Sequence, residues 1–119
     1  MEHSQRRTQR FPFSEYAEVI GAQAAAVTKV TELSLYGCYL AAVSSLPRGT
    51  IVTVRIRARG QCFEAIASVL YSQPTSGMGV VFREVKPRSQ TILQEWLQQS
   101  LDKQNSTPSI EDFESDKEM

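Results

Sequence analysis

The stretch IVTVRIRARGQCFEAIASVLY, residues 51 to 71, decides the fold of this chain. In its first half, every second residue from 52 to 58 is apolar, and the residues between them are threonine or arginine. A two-residue period is typical of a β-strand with one buried face. A second alternating set covers residues 63 to 71, after Gly60 and Gln61. The two runs together predict an antiparallel hairpin.

Further strand patterns lie on both sides of this hairpin. Upstream, residues 13–20, 25–33 and 38–42 are apolar enough for strands and are separated by glycines. Downstream, we expect a strand over residues 79–82, after a turn at residues 74–77. Six short strands at a spacing of roughly ten residues, without helices between them, favour a small closed barrel or a sandwich over a doubly wound fold. The sequence therefore predicts an all-β fold.

One helix is predicted, and it follows the strands. Apolar residues recur at three- to four-residue spacing after Pro87: Ile92, Leu93, Trp96, Leu97 and Leu101. Because this stripe must be buried, we interpret Trp96 as a packing anchor that seals the barrel rather than as a ligand-stacking residue. The remaining sequence is polar and acidic, so we expect a disordered acidic tail over residues 104–119.

The composition indicates a soluble domain with unevenly distributed charge. Of the 119 residues, 41% are hydrophobic and 22% are charged. No apolar run approaches the length of roughly 18 residues that a membrane span needs, and the polar N-terminus does not resemble a secretory signal. We therefore expect a cytoplasmic protein. Residues 104–119 carry a net charge of −4 and the preceding 103 residues carry +4, which suits an anionic ligand.

The reactive residues do not indicate a metal site or an enzyme. Cys38 and Cys62 have no further Cys or His at metal-ligand spacing, so we interpret both as buried free thiols. The carboxylates of the barrel region are scattered, and its serines lack a histidine partner. Acid–base and nucleophilic catalysis both need such paired groups. We therefore expect a binding protein without catalytic activity and without a cofactor.

Two polar motifs are not explained by the building of a core. The first is RRTQR, residues 6 to 10, directly before the first strand. Arginine can hold phosphate or the O6/N7 edge of guanine through two hydrogen bonds, and it stacks on purines. The second is ELSLYG, residues 32 to 37, where Ser34 can donate to phosphate and Glu32 can accept from guanine. Taken alone, the first motif is more simply interpreted as a solvated basic terminus, and the second as an ordinary strand-turn-strand.

Together the two motifs resemble the PilZ domain family. Residues 6 to 10 are similar to the arginine arm of that family, and Glu32-x-Ser34-x-x-Gly37 is similar to its D/N-x-S-x-x-G motif. The likeness covers about residues 5 to 101, including GMGVVF at residues 77 to 82 and the late helix. It implies a small six-stranded antiparallel β-barrel, the PilZ-like split barrel, with a C-terminal α-helix. It also implies a non-catalytic signalling receptor for the bacterial second messenger cyclic di-GMP.

The resemblance implies six ligand-binding residues: Arg6, Arg7, Arg10, Glu32, Ser34 and Gly37. The arginines would bind guanine and phosphate, with Arg7 in a supporting role. Ser34 would bind phosphate, Gly37 would let the backbone approach the ligand, and Glu32 would bind the other guanine. Residues 1–10 would form a flexible arm that closes over the ligand, and residues 11–103 would form the barrel and helix. A downstream protein partner of unknown identity is implied, and no membrane partner.

Two alternatives remain open from the sequence. Glu32 departs from the Asp or Asn of the family motif and holds its carboxylate one methylene further out, which keeps open a PilZ-fold protein-interaction module that does not bind nucleotide. Arg55, Arg57 and Arg59 form a basic stripe on one strand face, which could bind single-stranded nucleic acid. Aromatic stacking residues are scarce on that face, so a solvated surface is the favoured interpretation of the stripe.

Overall fold

A computed structural model describes residues 9–22, 24–41, 46–73 and 75–117 of the chain, and these form a closed antiparallel β-barrel with one helix. The strands are β1 (Phe11–Ile20), β2 (Ala25–Leu33), β3 (Gly37–Ala41), β4 (Ile51–Ala58), β5 (Gln61–Gln73) and β6 (Gly77–Val85). The helix, α1, spans Pro87–Lys117. The strands are ordered β1-β2-β3-β6-β5-β4 around the barrel. The predicted six-stranded barrel with a C-terminal helix is confirmed.

The β4–β5 hairpin has the predicted alternation, with its turn one residue earlier than expected. Ala58 pairs with Gln61, so the two turn residues are Arg59 and Gly60. Both have positive φ angles, 53° for Arg59 and 76° for Gly60. Such a two-residue turn matches the right-handed twist of the strands it joins.

Inward-facing residues of all six strands fill the barrel, and helix α1 seals it. Trp96 is fully buried. Its ring centroid lies 5.4 Å from that of Phe13 on β1 and 6.3 Å from that of Phe63 on β5. Leu93, one helical turn earlier, is fully buried as well. The interpretation of Trp96 as a packing anchor is therefore confirmed.

Helix α1 is longer than the sequence predicts. We expected the ordered chain to end near Lys103 and a disordered tail to follow, but the helix continues to Lys117. Once packing has nucleated a helix, a polar segment can extend it by one hydrogen bond per added residue, except at Pro108, which has no backbone N–H to donate. A helix of 31 residues is roughly 46 Å long. The predicted flexible arm over residues 1–10 lies outside the described residues, apart from Gln9 and Arg10.

The two cysteines differ in their surroundings. Cys38 is buried, and burial raises the pKa of its thiol to about 12. Cys62 is exposed, so the expectation of a buried thiol is wrong for this residue. The reason is the strand alternation, since the neighbouring Phe63 occupies the inward position on β5.

No helix within the described part of the chain is both long enough and apolar enough to cross a membrane. Over the same residues, no group of three or more His, Cys, Asp and Glu side chains could hold a metal ion.

Candidate binding cleft

A cleft of about 390 Å³ opens beside the turn between β2 and β3. Its lining includes four residues that the sequence singled out: Arg10, Glu32, Ser34 and Gly37. The cleft is also lined by their neighbours Leu33, Tyr36 and Cys38, and by residues of β5 and β6: Leu70, Tyr71, Gly79, Val80 and Val81. The volume lies within the range of sites for small organic ligands. Of the six predicted site residues, only Arg6 and Arg7 lie outside the described part of the chain.

Strand pairing places Arg10 at the cleft. Phe11 of β1 is opposite Leu33 of β2, and Pro12 is opposite Glu32. Arg10 therefore arrives next to Ser34, where β2 ends and the turn begins. Arg10 is exposed, and it forms no salt bridge with any described residue. Its guanidinium group is available to a ligand in the cleft.

A β-bulge in β2 sets the direction of Glu32. Val30 pairs with Leu40 of β3 and Glu32 pairs with Tyr39, so Thr31 is the extra residue. A bulge shifts the alternation of a strand by one residue. Val30 and Leu33 can therefore both be buried while Glu32, between them, is exposed. The carboxylate is kept out of the core at the edge of the cleft.

Ser34 shapes the turn from inside. Its backbone N–H donates to the carbonyl of Gly37 at 2.9 Å, and its hydroxyl donates to the same carbonyl at 3.2 Å. The hydroxyl also accepts from the backbone N–H of Tyr36 at 3.3 Å. Ser34 is only 7% exposed. Serine hydroxyls commonly stabilise turns in this way, so a contact with phosphate would require this hydroxyl to release Gly37.

Gly37 has a structural reason to be glycine. A Cβ atom at this position would lie 2.1 Å from the carbonyl oxygen of Val80 on β6. The backbone N–H of Phe82 donates to the carbonyl of Tyr36 at 2.8 Å, which holds the turn against the same strand. The absence of a side chain thus lets β3 and β6 pair closely beneath the cleft. The sequence predicts that Gly37 lets a ligand approach the backbone. The close approach that the structure describes is by the Val80 carbonyl of β6, and the approach of a ligand stays a prediction.

Tyr71 gives the cleft an aromatic wall, which the sequence analysis missed. Tyr71 is opposite Gly79 in the β5–β6 ladder, and a Cβ at Gly79 would meet the Tyr71 ring at 2.5 Å. The ring therefore lies over Gly79. Tyr71 is 39% exposed and the preceding Leu70, in a bulge, is 50% exposed. A glycine inside a strand, which marks the close approach of another group, was the signal that could have revealed this wall.

The arginines of β4, in contrast, have partners within the protein. Arg55 donates to the carboxylate of Glu64 at 3.1 Å and to that of Glu18 at 3.2 Å. These hydrogen bonds, with Glu64 the stronger influence, raise the pKa of the Arg55 guanidinium. Arg57 lies 4.0 Å from Glu18. Arg59 donates to Gln99 at 2.5 Å and its guanidinium carbon is 5.4 Å from the centroid of the Phe13 ring.

These contacts bear on the nucleic-acid hypothesis. Binding to nucleic acid draws most of its affinity from cations that neutralise phosphates. The carboxylates of Glu18 and Glu64 already neutralise Arg55, and Glu18 also lies near Arg57. The stripe is better described as an ion-paired outer surface than as a phosphate-binding track.

Comparison with known proteins identifies the family. The sequence pattern of the PilZ domain matches residues 4–99, most of the chain. The chain therefore belongs to the PilZ domain family, whose members are non-catalytic receptor and adaptor domains. A comparison with curated proteins finds no match.

Three solved structures have the same fold at low sequence identity. The inhibitor of motility MotI/DgrA of Bacillus subtilis superposes with a TM-score of 0.69 at 17% identity, over 87% of this chain and 52% of that one. The present chain thus spans about half the length of MotI. The PilZ domain of YcgR from Escherichia coli, solved with cyclic di-GMP, superposes with a TM-score of 0.69 at 14% identity, over 88% of this chain and 98% of that one. The PilZ domain of CeSA from a cellulose-synthesizing bacterium superposes with a TM-score of 0.59 at 17% identity, over 74% of this chain and 93% of that one.

Proposed function

We propose that this protein is a cytoplasmic receptor for cyclic di-GMP. The observation that carries the proposal is the cleft, which brings Arg10 together with Glu32, Ser34 and Gly37 although Arg10 lies more than twenty positions before the other three in the chain. Membership of the PilZ family supports the same role, as does the similarity in fold to the YcgR domain that contains cyclic di-GMP.

The chemistry of the cleft suits such a ligand, which carries two phosphates and two guanines. The exposed guanidinium of Arg10 can bind a phosphate or the O6/N7 edge of a guanine, and its flat face can stack on the base. Glu32 is an acceptor for the N1 and N2 donors of a guanine. Arg6 and Arg7, a few residues before Arg10, supply further cations to the ligand. Phosphate between these arginines is favoured because the contacts are charge-assisted.

The aromatic wall adds a role for Tyr71 in this proposal. Its exposed ring borders the same cleft as Arg10, and base–aromatic stacking contributes about 1 to 3 kcal/mol per base. A guanine that enters the cleft can thus pack against Tyr71 while its edge meets Glu32 or Arg10. The Tyr71 ring can lie directly on the backbone of Gly79 because a glycine has no side chain in that space.

The test is isothermal titration calorimetry of the full chain with cyclic di-GMP, with GTP and linear pGpG as controls. We expect saturable binding of the cyclic dinucleotide and much weaker binding of both controls, because only the cyclic ligand presents both phosphates and both guanines in a fixed geometry. Flat heats with cyclic di-GMP at millimolar excess would show that the protein is not such a receptor.

A second candidate is a PilZ-fold interaction module that does not bind nucleotide. Two observations favour it: Glu32 stands in place of the family Asp or Asn, and the Ser34 hydroxyl is already engaged with Gly37. The same titration separates the two candidates, since this module would give no heat with any of the three nucleotides.

A further inference from the structure

Two glycines at the start of β6 carry two tyrosine rings on the outside of the barrel. Met78 is buried in the core, so Gly77 and Gly79 on either side of it face outward. A Cβ atom at Gly77 would lie 2.9 Å from the ring of Tyr39. A Cβ atom at Gly79 would lie 2.5 Å from the ring of Tyr71. Each ring therefore rests on a glycine, in space that the side chain of another residue would fill.

The two rings are neighbours along β6. Tyr39 on β3 and Tyr71 on β5 are both opposite Gly79 in their ladders. Their ring centroids are 6.2 Å apart and their planes differ by 33°, within the range of favourable aromatic pairs. This separation is close to the distance of about 6.6 Å between alternate residues of a strand. The spacing of the two glycines thus matches the spacing of the two rings.

Only one of these rings borders the cleft. Tyr71 and Gly79 are among the lining residues, together with Val80 and Val81 further along β6. Gly77 precedes this stretch of β6, and the Tyr39 ring that rests on it lies outside the cleft. The Tyr39 ring therefore contacts Tyr71 from the side of β6 where the strand begins, and a ligand in the cleft meets Tyr71.

The two tyrosines are held in different ways. The Tyr39 hydroxyl donates to Oε1 of Gln73 at 2.7 Å and lies 3.5 Å from the hydroxyl of Ser76. These two residues belong to the β5–β6 turn, which the N–H of Ser76 closes by donating to the Gln73 carbonyl at 2.9 Å. The Tyr71 hydroxyl has no hydrogen-bond partner among the described residues. Tyr39 is thus anchored at its ring and at its hydroxyl, whereas Tyr71 depends on the surfaces around its ring.

The anchored ring limits where the other ring can go. A tyrosine ring moves by rotation about its side-chain bonds and occupies the staggered positions that its neighbours leave open. Without the Tyr39 ring, the surface of Gly77 would be uncovered beside the Tyr71 ring. The Tyr71 ring could then turn toward Gly77 and leave the wall of the cleft.

We propose that Tyr39 is a positioning residue for the binding cleft. Its ring covers Gly77 and thereby holds the Tyr71 ring over Gly79, where a planar base can stack on it. A side chain that is already in its binding position loses little freedom when the ligand arrives, which strengthens binding. The effect on affinity rests on the proposed function, whereas the placement of the Tyr71 ring is a property of the free protein.

The first test is NMR of the free full-length protein. An aromatic ring shifts the resonances of protons under its face, so the α-protons of Gly79 report whether the Tyr71 ring is in place. The chain has only six glycines, so these resonances can be resolved. We expect an upfield shift of the Gly79 α-protons that disappears in Tyr71→Ala, is mostly lost in Tyr39→Ala and is kept in Tyr39→Phe. A shift that survives Tyr39→Ala unchanged would overturn the proposal.

The second test is a double-mutant cycle, with cyclic di-GMP binding measured by calorimetry. Tyr39→Ala should raise the dissociation constant by about tenfold, the scale of losing one stacked base. Tyr39→Phe, which keeps the ring, should recover most of the affinity. In the Tyr71→Ala background, Tyr39→Ala should have no further effect, because Tyr39 acts through that ring. The matched control is Tyr16→Ala, at an exposed tyrosine of β1 outside the cleft, which should bind like the wild type.

The two tests separate this proposal from the proposed function. Equal losses of affinity on Tyr39→Ala in the presence and absence of Tyr71 would show a general structural effect and overturn the positioning role. A wild type that does not bind cyclic di-GMP would refute the receptor function. The Gly79 resonances would then still decide whether Tyr39 holds the Tyr71 ring in place. Thermal unfolding of each variant establishes that it is folded.

Discussion

Arg10 and Arg55 are two arginines of the same domain, and their surroundings differ. Arg55, in the middle of β4, contacts Glu64 on one neighbouring strand and Glu18 on the other. Arg10, just before β1, lies at a cleft and contacts no carboxylate among the described residues. The first arginine stabilises the outer surface of the barrel, and the second is available to an anionic ligand.

Strand register explains the difference. Arg55 is directly opposite Glu64 in the β4–β5 ladder and opposite Glu18 in the β1–β4 ladder, so its partners are fixed by the fold. Cross-strand pairs of opposite charge are a usual feature of sheet surfaces. Arg10 has no such opposite residue, because β2 ends at Leu33 and the turn that follows carries Ser34. The function of an arginine here depends on what the neighbouring strand places across from it.

The largest expected effect is the loss of ligand affinity on Arg10→Ala. Removal of a charge-assisted contact should weaken the binding of cyclic di-GMP by about 2 to 4 kcal/mol, measured by calorimetry. Thermal unfolding should be unchanged, because Arg10 is exposed and has no salt bridge with a described residue. Arg57→Ala is the matched control and should bind like the wild type. Equal losses in the two variants would mean that the cleft arginine has no special role.

Next in size is the effect of Gly37→Ala on folding. A Cβ at this position meets the Val80 carbonyl at 2.1 Å, so β3 and β6 must separate, at a cost of about 1 to 3 kcal/mol in the free energy of unfolding. Gly21→Ala is the control, since its Cβ would meet only Ala24 at an ordinary 3.7 Å. Denaturant titration measures both variants. If Gly37→Ala is as stable as the control, the glycine serves the ligand rather than the packing of the strands.

A smaller effect is expected from Glu32→Asp, which restores the residue type of the family motif. The shorter side chain loses less rotamer freedom on binding, so affinity for cyclic di-GMP should improve by about 0.5 to 1 kcal/mol. Calorimetry under the conditions used for Arg10→Ala gives the comparison. Weaker binding by this variant would show instead that the longer carboxylate of Glu32 is matched to the ligand in this cleft.

The smallest effect is expected from Arg55→Ala. Loss of the cation leaves Glu18 and Glu64 without their shared partner, so thermal stability should fall slightly at low salt. Added salt screens exposed charges, and the difference from the wild type should shrink as ionic strength rises. Ligand affinity should be unchanged. A drop in affinity comparable to that of Arg10→Ala would break the distinction between the two arginines.

Much of the fold was predictable because its strands have one buried face. The two-residue alternation of β4 and β5 gave their positions and the inward residues from Val52 to Val69. The boundary of the helix was not predictable, because a polar and acidic segment gives no signal for the helix that extends to Lys117. The exposure of Cys62 was missed because the thiol was judged by its residue type rather than by its outward position next to Phe63.

The candidate site was predictable in part. The motif residues Arg10, Glu32, Ser34 and Gly37 were identified from the sequence, and the structure brings all four to one cleft. Tyr71 was missed, since its position depends on a bulge in β5 and on pairing with Gly79 of another strand. The ligand roles of all these residues, and of Arg6 and Arg7, stay predictions.

The sequence by itself determined the class of fold, the helix that seals the barrel and the two motifs that mark the family. Those features are local, since a strand period, an apolar stripe or a short motif can be read within a few dozen residues. The tertiary structure alone decided which arginines are paired, why Gly37 must be small and what forms the second wall of the cleft. These depend on contacts between strands that are distant in sequence, where a bulge of one residue changes which side chains meet.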